Sequence, residues 1–256
     1  MRRTGERPSL AVLLLPVMVT VLLAAAVGGF VVVENAQQSD QLEEADAVGA
    51  DYLSAVVSFR SKVLVAIKDA DQDDPAAIRA ALVEAIEDPP QLPDADGFGA
   101  RNSSTYAEAE AISQNLLDPY TELSDQLAEA EVSFTYIEAA REVLDLRVED
   151  FVEGTLLSSS ASLRNALIPR FVQARDELAQ VPAPDDAEDV AATVAGAVQH
   201  VIDEATTLAN SIDANQNYTF TYAAEYQAAI TALENYATGV EGDLTESLNA
   251  VADLSS

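Results

Sequence analysis

Cysteine is absent from these 256 residues, which excludes disulfide bonds, thiolate catalysis and cysteine zinc sites together. A chain that works outside the cytoplasm without disulfides is held by packing alone, which suits a long helical bundle. Positive charge is scarce: 13 Lys and Arg stand against 44 Asp and Glu, for a net charge of −31, and Lys62 and Lys68 are the only lysines. Such a surface repels phosphate backbones and anionic lipid headgroups, so no nucleic acid and no peripheral membrane binding is expected. Basic partners, divalent cations and high salt are all compatible with it.

Histidine occurs once, at His200. Any Ser-His-Asp triad would have to use it, and no serine sits in a GxSxG context. Phosphate-cradling glycine loops are also missing, as are the HExxH and Glu-x-x-His spacings of metal centres. The sequence therefore predicts a protein that is not an enzyme and carries no cofactor.

A long hydrophobic run occurs once. Leu10 to Val33 contains no charged residue and nothing more polar than Thr20. A helix rising about 1.5 Å per residue needs roughly 20 such residues to cross a bilayer. Pro16 and the Gly28-Gly29 pair are tolerated in a membrane helix. A cleavable signal peptide has an apolar core of about 7–15 residues, whereas this run continues well past its small-residue site at Ala24-Ala25-Ala26. Arg2, Arg3 and Arg7 precede the run and an acidic chain follows it. The positive-inside rule then predicts a basic cytoplasmic tail at 1–9, a single-pass transmembrane signal anchor at 10–33, and an extracytoplasmic region at 34–256.

That region reads as all-α, a four-helix-bundle-like arrangement of long antiparallel helices. Gln37 to Lys68 carries Leu42, Ala45, Gly49, Tyr52, Val56, Phe59 and Val63 three and four apart, along one face. Asp74 ahead of Pro75 predicts an N-cap with proline in the first turn of a short helix to Glu87. A long loop is expected at about 88–104, and Thr105 with Glu108 reads as the capping box that reopens helix. From Leu116 the pattern continues through Tyr120, Leu123, Leu127, Ala130, Phe134, Ile137, Arg141, Leu144 and Val148 to Phe151. Such spacing is coiled-coil-like, with Pro119 kinking or restarting the helix. Ser162 to Gln180 predicts a helix interrupted by Pro169. Asp185 to Glu188 opens another carrying Val194, Ala197, Val201 and Ala205, and a last helix carries Tyr222, Tyr226, Ile230, Leu233, Tyr236 and Val251.

Three sets of residues stand out as candidate sites. Asp69, Asp71 and Asp73 match the first three liganding positions of a calcium loop, but Asp74 replaces the required glycine and Ala80 the closing glutamate. They are expected to end a helix as an acidic turn, with loose Ca²⁺ binding as the alternative. Arg141 sits at a seam position, where it would snorkel to solvent or bind an anionic ligand. Tyr222 and Tyr226 form part of an aromatic stripe that would be core or, alternatively, a ligand wall. His200, one turn from Asp203 and Glu204, reads as a boundary histidine.

These features lead us to expect a membrane-anchored interaction or scaffold module with an envelope or membrane-complex protein as partner. The alternative is a ligand-sensing or solute-binding domain. An inner span followed by long antiparallel helices is similar in outline to bacterial chemoreceptor and histidine-kinase sensor domains. Those receptors return their signal through a second span, and no second apolar run appears before Ser256. The alanine-rich heptad face would serve equally within one chain or between copies, so a homo-oligomer is compatible with it.

Overall fold

A computed structural model describes residues 36–95, 97–151 and 160–254. The basic tail and the apolar run Leu10–Val33 lie outside the described residues, and no helix within them is long and apolar enough to cross a membrane. The described residues are all-helical, with no strand. Eight α-helices are described: α1 (Ala36–Asp69), α2 (Pro75–Ile86), α3 (Gly97–Asn102), α4 (Ser104–Asn115), α5 (Asp118–Leu144), α6 (Ile168–Leu178), α7 (Glu188–Asp213) and α8 (Ala223–Asp253). The chain divides into two compact units, one holding α1 up to Val57 with residues 90–114, the other holding 58–89 and 115–252.

In the smaller unit α1 is approached very closely by the chain that follows residue 90. A Cβ added to Gly49 would lie 2.8 Å from the backbone of Thr105 and Tyr106. Gly99 likewise has no room for a Cβ, because the backbone of Gln41 occupies that space. The expected loop at about 88–104 is shorter than its prolines suggested, since α3 occupies 97–102. Helix α4 is capped by Ser103, not Thr105. The Ser103 hydroxyl accepts from the Tyr106 amide at 2.9 Å and donates to the Asp46 carboxylate at 2.6 Å. The buried Tyr106 hydroxyl donates to the Pro93 carbonyl at 3.1 Å and accepts from the Ala95 amide at 3.1 Å, which fixes the Pro-rich run against α4. A capping serine held by a carboxylate from another helix is a tertiary device, and local sequence does not reveal it.

The larger unit is built on α5, against which α2, α6 and α7 pack. At α2 the expected cap is present: the Asp74 carboxylate accepts from the Ala76 amide at 2.9 Å, with Pro75 in the first turn. Pro119 likewise lies in the first turn of α5, so it starts the helix and does not kink it. The buried edge of α5 follows the expected seam from Tyr120 through Leu123 and Leu127 to Ala130. It then moves to Ser133, Tyr136, Ile137, Ala140, Val143 and Leu144, leaving Phe134 half-buried and Arg141 exposed. This shift to earlier positions runs against the drift of a straight 3.6-residue helix; from Tyr136 onward α5 joins the core shared with α6, α7 and α8, which covers a different side of it. The helix also stops at Leu144, short of Phe151, and residues 148–150 form a single 3₁₀ turn.

Pro169 has no amide hydrogen to donate, and the chain adapts with a π-turn over Leu163–Leu167 before α6 continues. Along α7 the apolar stripe is buried at Val194, Ala197, Val201 and Ala205 as its spacing predicts. Along α8 the buried line runs through Tyr226, Ala229, Leu233 and Ala237, with Ile230, Tyr236 and Val240 half-buried beside it.

The glycines allow a contrast. Gly49→Ala should cost about 1–3 kcal/mol, because the backbone of the facing segment must shift. Gly196 lies inside α7 with nothing within 4 Å of an added Cβ, so Gly196→Ala should gain about 0.5–1 kcal/mol through backbone entropy alone. Circular dichroism melts would move in opposite directions for the two variants. Equal midpoints would mean that the α1 contact is not maintained in solution.

Candidate functional site

The structure brings together Asp73 and Arg141, from different sequence-selected sets, and places Tyr222 and Tyr226 side by side elsewhere. Asp73 and Arg141 line one cleft of about 390 Å³ in the larger unit, where the start of α2 meets α5 and α8. Five carboxylates line the cleft with Arg141: Asp73, Asp74, Glu138, Glu241 and Glu131, the last lying 3.8 Å from Arg79. Phe134 and Ile137 supply apolar surface. Arg141 forms no ion pair with another described residue. The cleft therefore offers carboxylate acceptors, one guanidinium fork and an aromatic edge, which suits organic cations or zwitterions better than anions.

Of Asp69, Asp71 and Asp73, it is the Asp71 carboxylate that is bonded in closing the turn after α1. Asp71 Oδ1 accepts from the Asp73 amide at 3.1 Å, and the Asp74 amide donates to the Asp71 carbonyl at 3.3 Å. The Gln72 side-chain amide donates to the carbonyls of Ile67 at 2.7 Å and Ala70 at 2.9 Å, capping the helix end. Among the described residues no group of three or more acidic or histidine side chains gathers as metal ligands would.

Tyr222 and Tyr226 lie outside the Arg141 cleft, and both hydroxyls are engaged within the chain. Tyr226, buried, donates to the Val143 carbonyl at 2.8 Å, with the Leu146 carbonyl at 3.2 Å. Val143 lies in the last turn of α5, where its carbonyl also accepts from the Leu146 amide at 3.3 Å, and Leu146 follows the helix. The Tyr222 hydroxyl donates to Glu149 Oε1 at 2.9 Å. The rings of Phe220 and Tyr222 sit 5.0 Å apart and those of Tyr222 and Tyr226 6.1 Å apart, forming an aromatic ladder. Burial pushes the Tyr222 phenol up from 10.0 to about 12, helped by the Glu149 carboxylate, and burial raises Tyr226 further.

Around His200 the structure builds a strap. Residues 216–222 run without helix between α7 and α8. Glu204 holds this segment with three bonds, accepting from the Tyr218 hydroxyl at 2.7 Å, the Thr221 amide at 3.0 Å and the Thr221 hydroxyl at 3.1 Å. His200 Nε2 lies 2.9 Å from the Thr221 carbonyl and 3.6 Å from Glu225. Asp203, the other expected partner of His200, instead accepts from Gln199 at 2.8 Å.

Sequence reading missed a second hollow. Between α5, α8 and the connection before α7 lies a groove of about 670 Å³. Val132, Pro184, Val240 and Leu244 give it an apolar floor, and Glu129, Asp185, Asp186 and Asp243 an acidic rim. The Tyr236 hydroxyl donates to Asp186 Oδ1 at 3.0 Å and lies 3.1 Å from Ser133 Oγ, tying the rim to α5. The one available signal was Val132, an apolar residue off the seam of α5 that remains 43% exposed.

Tyr226→Phe removes the buried hydroxyl's bonds to the Val143 and Leu146 carbonyls and should cost about 1–3 kcal/mol near neutral pH, measured by denaturant unfolding. Both phenols are raised in the folded state, so their stabilising effect is complete below an unfolded value of about 10 and is lost as pH rises towards 12. The native chain should lose stability across that window, and Tyr226→Phe should lose less of what it retains.

Glu204 responds in the opposite direction. Its bonds to the Thr221 amide, and then to the Tyr218 hydroxyl, hold its carboxyl below the ordinary 4.5. The strap is thus secured above that value and released as pH falls through the lowered one. Hydrogen exchange at Thr221, corrected for intrinsic rates, should accelerate in acid. In Glu204→Gln it should be fast throughout and insensitive to that titration. No known protein family, curated protein or solved structure matches the chain.

Proposed function

We propose that the protein is a membrane-anchored, non-catalytic interaction or scaffold module of the cell envelope. Its helical bundle would act on the extracytoplasmic side and engage an envelope or membrane-complex protein. The observation that carries this reading is the pair of hollows beside α5 and α8, each with an apolar floor and an acidic rim, on a chain of net charge −31. An apolar surface bordered by polar residues is the usual form of a protein-binding patch. The anchor rests on the uncharged run Leu10–Val33 with arginines ahead of it. The non-catalytic part rests on the sequence, with no cysteine, a single histidine and no serine in a GxSxG context.

A second reading, extracytoplasmic solute binding or sensing, is favoured by the cleft around Arg141. A guanidinium without an ion pair among the described residues, in a cleft lined by carboxylates, matches a small zwitterion, whose amine and acid groups would each find an opposite charge.

Photo-crosslinking in intact cells expressing the full chain, read by mass spectrometry, separates these readings. A reproducible envelope protein attached to the chain is the expected result. Crosslinks confined to the chain itself would overturn the interaction reading, and a thermal shift with free amino acids would then favour the second.

A further inference from the structure

We infer that the groove between α5, α8 and the connection before α7 receives a basic amphipathic segment of the partner protein. This inference rests on the interaction reading above and supplies the partner's chemistry. The groove has an apolar floor at Val132, Pro184, Val240 and Leu244, and Val132 is left 43% exposed by the described residues. Leaving such a surface in water has a cost that an apolar face laid into it would remove.

Charge complementarity decides the occupant. Glu129, Asp185, Asp186 and Asp243 border the floor, and among the described residues no lysine, arginine or histidine lines the groove. None of the four forms an ion pair with another described residue. They are therefore free to meet lysines and arginines flanking an apolar stripe, the pattern of a basic amphipathic helix lying in a groove. A metal ion is a poorer match, because among the described residues these carboxylates do not gather into a ligand set. Anionic lipid and nucleic acid would be repelled.

The wall is also preformed. Pro184 holds an extended conformation, with φ −60° and ψ 151°, at the start of the 3₁₀ turn Asp185–Ala187. Tyr236 ties Asp186 towards Ser133 on α5. A rim fixed before binding loses little entropy on docking.

The test uses the full chain in non-ionic detergent and a fluorescent leucine–lysine peptide with leucines at helical spacing. A scrambled peptide of identical composition serves as the charge control, and anisotropy reports binding. The amphipathic peptide should bind at least about tenfold more tightly than the scrambled one. Val132→Asn and Asp243→Lys should each weaken it about tenfold, whereas Glu108→Lys, on the exposed side of α4, should change it less than about twofold. Both test positions are exposed, so these variants should fold, and unchanged circular dichroism melts would check that. Equal binding of the two peptides, or equal loss in Glu108→Lys, would mean bulk charge attraction and overturn the inference. Absence of binding would also overturn it. Val132→benzoylphenylalanine crosslinking in cells distinguishes the two levels. An envelope protein captured elsewhere on the chain, but never from position 132, would sink the groove and leave the interaction reading standing. Crosslinks from 132 to a second copy of this chain would make that copy the occupant and overturn the inference.

Discussion

The buried edge of α5 is the surface on which the larger unit depends. Tyr120, Leu123, Leu127, Ala130, Ser133, Ile137, Ala140 and Leu144 succeed one another at three- and four-residue steps, and α2, α6 and α7 all pack on this helix. Its small residues, Ala130, Ser133 and Ala140, let neighbouring backbones come close. At its end the Val143 carbonyl accepts both from the Leu146 amide at 3.3 Å and from the buried Tyr226 hydroxyl of α8 at 2.8 Å. That hydroxyl also lies 3.2 Å from the Leu146 carbonyl, so one side chain of α8 joins the last turn of α5 to the chain that follows it.

Scarcity of cations imposes the second constraint. The described ion pairs, such as Arg164 with Asp213 at 2.9 Å, lie at the surface, where each contributes about 0–1 kcal/mol. Much of the ordering of carboxylates falls instead to neutral donors: Ser103 on Asp46, Ser160 on Asp213, Tyr222 on Glu149, Tyr218 and Thr221 on Glu204, and Tyr236 on Asp186. A hydroxyl bonded to an ionised carboxylate makes a strong hydrogen bond without cancelling its charge. The chain can thus position its acidic groups precisely while keeping its surface negative, the condition for attracting a basic partner.

What could be read from the sequence was local chemistry. Asp74 and Pro75 capped α2 as expected, Pro169 disturbed the helix it interrupts, and the stripe on α7 was buried where its spacing put it. What escaped depended on another part of the chain. Ser103 caps α4 because Asp46 on α1 orients its hydroxyl, whereas Thr105 carried the better local signature. Arg141 continued the seam set by the first half of α5, but in its second half the helix packs in the core with α6, α7 and α8, which buries Ala140 and leaves Arg141 exposed. Tyr222 and Tyr226 were legible as aromatic packing residues, but the partners of their hydroxyls, Glu149 and Val143, lie more than seventy residues away.

The two hollows have a common origin in three consecutive residues of α5. Successive side chains on a helix are about 100° apart, so Val132 and Phe134 point to opposite sides of the buried Ser133. Val132 lines the groove and Phe134 lines the cleft. Had the large residue stood at 133, it would have entered the core and left polar flanks on both sides. With a serine in the centre and apolar residues on its shoulders, α5 packs closely and still presents apolar surface in two directions. The carboxylates of α5 and α8 then border both surfaces, and Arg141 marks the cleft as the only one with a cation of its own. That difference in charge separates a groove suited to a purely basic segment from a cleft suited to a ligand carrying both signs.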